Sequence, residues 1–230
     1  MKNKNDSKDQ ISIPKEQVDL VIGLYSSGKI NDAIDMIKAL NENYPNVPLL
    51  FNLLGACYNT LGQYAAAAQF FETAFSIKPD YAEAYMNHGT ALKGAGELDL
   101  ASKSFSKAVQ LLPNYPEAHN KLGITYIDLK RYKDAIEHFD WAVAYKYDFA
   151  EAHNNLGVAN RELDQINNAA KSFKKAIEIN PNYILALLNL GGILTDLGDK
   201  NEAIECFEKV IAIESENSQA RLSLKELSAD

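Results

Sequence analysis

Residues 116–149 read PEAHNKLGITYIDLKRYKDAIEHFDWAVAYKYDF, and residues 150–183 read AEAHNNLGVANRELDQINNAAKSFKKAIEINPNY. Laid over one another, the two 34-residue strings keep Glu-Ala-His-Asn, Leu-Gly, Ala, Phe and Ala in step. Extending the register in both directions gives six gapless blocks, 14–47, 48–81, 82–115, 116–149, 150–183 and 184–217, with a truncated seventh from Ser218. A period of this length means stacked supersecondary units, each burying against its neighbours a face that it cannot bury alone.

Each place in the block is a column. Column 20 is alanine throughout: Ala33, Ala67, Ala101, Ala135, Ala169 and Ala203. Column 8 reads Val21, Gly55, Gly89, Gly123, Gly157 and Gly191; column 24 reads Ile37, Phe71, Phe105, Phe139, Phe173 and Phe207. Apolar places at columns 4, 7, 8 and 11, and again at 20, 24 and 27, follow helical i, i+3, i+4, i+7 spacing. Each block is therefore two amphipathic helices. The small residues of columns 8 and 20 allow close approach, and the column 24 ring fills the space beside them. Column 15, between the helices, carries Gly28, Gly62, Gly96 and Gly198, suited to the positive φ that ends a helix, with Lys130 and Asp164 in the other two blocks. All seven prolines stand at block edges, at column 32 or column 1, where no interior hydrogen bond is lost.

These residues resemble the tetratricopeptide repeat. They include an aromatic at column 4 (Phe51, Tyr85), Leu-Gly at columns 7 and 8 (Leu54-Gly55, Leu122-Gly123, Leu156-Gly157, Leu190-Gly191) and Tyr at column 11 (Tyr58, Tyr126). The resemblance covers residues 14–217 and implies an all-α fold, a right-handed α-solenoid of helix-turn-helix repeats. Gln17, Val21 and Ser215 depart from the pattern in the terminal blocks, as expected where one face meets water. Residues 218–230 are expected to form a C-terminal capping helix, and the polar residues 1–13 a disordered tail.

The composition is that of an ordinary folded chain, 47% apolar and 23% charged. A net charge of −8 opposes nucleic acid as a partner, because that binding rests on neutralising phosphates. No run of eighteen apolar residues marks a membrane span and no apolar segment follows the polar N-terminus, so the chain is expected to be cytoplasmic. Cys57 and Cys206 stand four repeats apart and read as small buried apolar residues.

Chemistry is hard to assemble. The segment Gly23-Leu24-Tyr25-Ser26-Ser27-Gly28-Lys29-Ile30 falls one residue short of a phosphate-binding loop: Ile30 lacks the hydroxyl for magnesium, and no strand precedes it. His119 and His153 share column 4, with His88 at column 7 and His138 at column 23 on the second helix. The column 4 pair read as flat, half-buried rings where the resemblance implies an aromatic, and a zinc site would need three or four ligands about 2 Å from the metal. No nucleophile with its base emerges, so no enzyme activity, cofactor or metal is expected.

The recurrent polar signal is asparagine. Column 6 gives Asn87, Asn155 and Asn189, interrupted by Lys121, and column 5 gives Asn52, Asn120 and Asn154. The resemblance implies that the first helix of each block lines a concave groove, which would present these amides to a partner. An amide offers donors and an acceptor that match an extended peptide backbone. Glu83, Glu117 and Glu151 repeat at column 2 beside them, so the groove should prefer neutral or basic segments. The lysine and asparagine pattern with which some family members hold chaperone carboxylates is absent. A second candidate surface is Trp141, Tyr145 and Tyr147, a contact strip or homodimer seam, with packing beneath the next block as the alternative. The expected function is a protein- or peptide-binding module. The alternatives are a self-assembling scaffold and the substrate-selecting part of a larger transferase, because asparagine-lined repeats resemble those of O-linked N-acetylglucosamine transferase and sulfotransferase-like proteins.

Overall fold

The computed structural model describes residues 13–229, and within them the chain forms thirteen α-helices. Two compact units meet in sequence at Leu111 and Leu112. The first holds α1 (Lys15–Ser26), α2 (Ile30–Asn43), α3 (Pro48–Thr60), α4 (Tyr64–Ile77), α5 (Ala82–Gly94) and α6 (Leu98–Leu111). The second holds α7 (Pro116–Asp128), α8 (Tyr132–Tyr145), α9 (Ala150–Glu162), α10 (Ile166–Ile179), α11 (Ile184–Asp196), α12 (Lys200–Ile213) and α13 (Ser218–Ala229). Within each unit consecutive helices pack pairwise in chain order, which is the all-α solenoid architecture. From the second block onward, first helices open at column 1 of their block, and Pro48 and Pro116 occupy the first turn of theirs.

Every first helix of the six blocks ends the same way. Gly28, Gly62, Gly96 and Gly198 have φ of 77°, 71°, 83° and 81°, and Lys130 and Asp164 adopt 57° and 58° at the same column. The following N–H reaches back to a carbonyl five residues earlier, as in Gln63 N–H to Tyr58 O (2.9 Å) and Arg131 N–H to Tyr126 O (2.8 Å). These bonds satisfy carbonyls that a helix end leaves bare. Lys130 and Asp164 thus accept a conformation that costs an L-residue about 1–2 kcal/mol.

The column 8 and column 24 pairing is a direct steric fit. A Cβ placed on Gly55, Gly89, Gly123, Gly157 or Gly191 would lie 2.5 to 2.8 Å from the ring of Phe71, Phe105, Phe139, Phe173 or Phe207 of the same block. All five rings are buried. The first block solves the same volume problem differently, with Val21 and Ile37 both fully buried in place of glycine and phenylalanine. Between blocks, Phe75 and Tyr85 stack at 4.2 Å and 7°.

Cys57 and Cys206 are buried and free, and burial pushes the Cys57 thiol up to about 11. Helix α13 buries Ala220 and Leu227 in the core it shares with α12, and Asn217 Oδ1 accepts the Ala220 N–H at its start (3.0 Å). Of the expected tail, residues 1–12 lie outside the described residues, while Ile13 packs on the core around Val21.

Candidate functional site

The two asparagine columns do different work. Asn52, Asn120 and Asn154 are buried, with relative exposures of 3, 3 and 4%. Their carboxamide oxygens accept hydrogen bonds from Asn87 (3.0 Å), Asn155 (3.1 Å) and Asn189 (3.1 Å) of the next block. Their own N–H groups turn to Glu83 and the Tyr81 hydroxyl from Asn52, to Glu151 from Asn120, and to Asn155 from Asn154. The column 5 amides are therefore spent inside the stack, bolting one first helix to the next, and form no contact surface for a partner. Asn87, Asn155 and Asn189 stay half-buried, each donating that bond, and Asn155 Oδ1 also accepts the Asn154 amide. Each keeps a second N–H. Asn189 Oδ1 additionally accepts from Arg161 Nη1 (3.2 Å).

The acids flanking the columns are equally engaged. Glu83 and Glu151 receive the asparagine amides, and Glu117 accepts from Lys146 Nζ at 3.1 Å. Lys121, at column 6 of the fourth block, is half-buried.

Trp141, Tyr145 and Tyr147 are 46, 43 and 79% exposed, so they do not pack beneath the next block. Trp141 and Tyr145 stack on α8 at 5.6 Å and 18°. Under them lies His119, whose Nε2 bonds Pro113 O (2.9 Å) and whose Nδ1 meets His138 Nδ1 (3.1 Å). A carbonyl can only accept, so neutral His119 carries its proton on Nε2 and His138 must donate from Nδ1. Burial lowers the basicity of both; for His138 the adjoining His119 adds to the effect and Asp134 opposes it, bringing it to about 4. His153 repeats the clamp one block on, through Nε2 to Tyr147 O (3.1 Å).

The first unit holds an arrangement that sequence reading does not assemble. His88 Nδ1 lies 2.9 Å from Ser104 Oγ, and its Nε2 3.5 Å from Glu72 Oε1. A carboxylate, an imidazole and a hydroxyl thus stand in a row, contrary to the expectation that no nucleophile and base come together. His88 occupies a column otherwise filled by leucine, and a buried ring in that place demands polar partners; that is the signal that was available. Ser104 Oγ donates to Leu100 O (3.1 Å) and sits buried within α6, whose backbone N–H groups are taken up by the helix. Gly28 and Lys29 form the turn after α1, with no strand before them. Among the described residues no helix is long and apolar enough to cross a membrane.

Tetratricopeptide repeat profiles match residues 18–82, 116–148, 150–183 and 184–217, and a TPR repeat profile matches 89–130. The chain belongs to the tetratricopeptide repeat family. Protein FlbA of Caulobacter vibrioides is 29% identical over 80 residues, 35% of this chain. The chain spans only 13% of that protein's length. Among solved structures, PilW, a type IV pilus biogenesis factor, superposes with a TM-score of 0.80 at 22% identity, covering 91% of this chain and 97% of its own. YrrB, described as a TPR protein with an unusual peptide-binding site, superposes with a TM-score of 0.68 at 19% identity, covering 82% and 97%. MamA from Desulfovibrio magneticus gives 0.68 at 24% identity, covering 74% and 97%. At these identities the likeness is one of fold.

Proposed function

We propose that the chain holds extended partner segments along the first helices of each unit, through the amide of Asn87 in the first and those of Asn155 and Asn189 in the second, and carries out no catalysis. The observation that supports this most is their anchoring. Each spends one N–H on a buried asparagine of the preceding block, and that bond sets its orientation before a ligand arrives. Preorganised polar groups lose little entropy on binding. A peptide backbone offers carbonyls at regular intervals to such donors irrespective of its sequence. The net charge of −8 favours neutral or basic segments.

A second reading is a module set within a larger protein, such as the substrate-selecting part of a transferase; the local match to the much longer FlbA supports only the setting within a longer chain. The test is common to both. Random linear peptides displayed on phage are selected on the chain, and the winners are measured against Asn155→Ala and Asn189→Ala by fluorescence anisotropy. Each outward hydrogen bond is worth about 0.5 to 1.5 kcal/mol, so the double variant should bind roughly 5- to 150-fold more weakly. Unchanged affinity in a variant that remains helical by circular dichroism would refute the role of these amides.

A further inference from the structure

In the fourth block five rings lean on one another: His119, Tyr126, His138, Trp141 and Tyr145, with centroids of neighbouring pairs 5.3 to 6.4 Å apart. The second block fills columns 11 and 23 of the same seam with Tyr58 stacked on Phe70 at 5.0 Å and 21°. At the five columns of that cluster the fifth block carries His153, Asn160, Ser172, Lys175 and Ile179, of which only the histidine is a ring. Aromatic volume is thus missing between α9 and α10. A groove of about 780 Å³ opens there, walled on its other side by Ile136 and Asp140 of α8. Asn160 and Ser172 line it at 5 and 8% exposure, so they lie deep in its wall. All of these helices belong to the second unit. His153, Leu156 and Asn160 follow i, i+3, i+7 along one face of α9, and Asn155 lies off that stripe.

The lining is rich in acceptors. Asn160 Nδ2 donates to Leu156 O (2.8 Å) and Ser172 Oγ to Asn168 O (2.9 Å), each turning a hydrogen back to its own helix. Among the described residues neither the Asn160 carboxamide oxygen nor Ser172 Oγ receives a hydrogen bond in return. His153 donates from Nε2 to Tyr147 O, which leaves Nδ1 of the neutral ring an acceptor, and Asp140 adds a carboxylate. Of the lining lysines, Lys174 and Lys175 are paired with Glu202 and Glu178.

We propose that this groove seats an aromatic side chain with a donor on its edge, a tyrosine or tryptophan of a partner protein. Its ring stands where the fourth block has Tyr126 and His138, and its O–H or N–H meets the Asn160 oxygen. The missing rings set the shape of the occupant, and the acceptors set its chemistry. A phenylalanine fits the volume but covers those acceptors without giving them a donor. Lys171, also in the lining, brings an ammonium that favours the face of a ring. The seat uses a different face of α9 from the column 6 amides, so it stands or falls independently of them.

The experiment titrates N-acetyl-tyrosinamide, N-acetyl-tryptophanamide and N-acetyl-phenylalaninamide into the 15N-labelled full chain. The first two should shift the Asn160 carboxamide and the backbone amides of α9 and α10 saturably. The phenylalanine compound should bind up to about tenfold more weakly, the scale of one hydrogen bond. Asn160→Leu, which installs the residue found at this column as Leu92 and Leu194, should keep ring binding and erase the preference for a donor. Asn160→Tyr combined with Ser172→His rebuilds the fourth block's pair; it should fill the groove, abolish the shifts and leave the melting midpoint unchanged or higher. Should that double variant fail to fold, Asn160→Leu still decides. Absence of saturable shifts, equal binding of all three compounds, or shifts centred on Asn155 and Asn189 instead would each overturn the proposal.

Discussion

Exchanging one glycine and phenylalanine pair for the valine and isoleucine of the first block tests the packing rule of the repeat. In Gly123→Val the new Cβ would lie 2.6 Å from Phe139 Cε1, closer than any relaxed contact, so ring or helix must shift. Overpacking of this kind costs about 1–3 kcal/mol, slightly offset by replacing a helical glycine. Phe139→Ile alone removes part of a fully buried ring and leaves a void. Phenylalanine to alanine costs about 3–5 kcal/mol, and isoleucine keeps more than half of the volume, so roughly 1–2.5 kcal/mol is expected. Independent effects would sum to roughly 2–5 kcal/mol. In the double variant the valine methyls occupy the space the ring vacates, as Val21 and Ile37 do while remaining fully buried. Its loss should be no more than about 1.5 kcal/mol, a favourable coupling of about 1–3 kcal/mol. The assay is urea denaturation of the four proteins followed by circular dichroism at 222 nm, a helix wavelength. Additivity within about 0.5 kcal/mol would mean that the two side chains do not compete for one space.

Other outcomes follow from the same geometry. Lys130→Gly and Asp164→Gly should each raise stability by about 0.5–1 kcal/mol by relieving a left-handed backbone, whereas Gly198→Ala should lower it by at least as much; the opposite signs in thermal melts would disprove the shared cap. Acidification should destabilise the fold: the folded-state basicity of His119, His138 and His153 is depressed, so their contribution is complete above about pH 6.5 and fades as pH falls toward 4. His138 alone, shifted from 6.5 to about 4, sets an upper bound of about 3 kcal/mol, reduced by its partial exposure, and His138→Gln should flatten the stability profile in that window. Finally, p-nitrophenyl acetate hydrolysis should not exceed the background of free imidazole, nor change in Ser104→Ala; a loss of turnover in that variant would make the buried serine a nucleophile.

Much of this architecture is legible in the sequence because it depends on size. Glycine opposite phenylalanine in five blocks, alanine at column 20 in all six and seven prolines at block edges are one-residue decisions, and repetition separates them from chance. The positive φ of Lys130 and Asp164 is legible for the same reason, since the glycines of the other blocks mark the column. Hydrogen-bond direction is not so encoded. Asn154 and Asn155 are neighbours of identical composition, yet one is buried and accepts from Asn189 while the other is half-buried and reaches Asn120. Only the packing of first helix against first helix tells them apart. The meeting of His119 with His138, and of Glu72 with His88 and Ser104, similarly depends on which columns face one another across a helix pair.

The division of the asparagines into spent and available amides is the central claim, and side-chain amide NMR of the 15N-labelled chain tests it most directly. On titration with a phage-selected peptide, the carboxamide resonances of Asn155 and Asn189 in the second unit, or of Asn87 in the first, should shift with peptide concentration. Those of Asn52, Asn120 and Asn154 should exchange slowly with solvent before peptide is added and keep that protection afterwards. Movement confined to the Trp141 indole, with all six amides unchanged, would contradict the account and place the partner on the aromatic strip of α8.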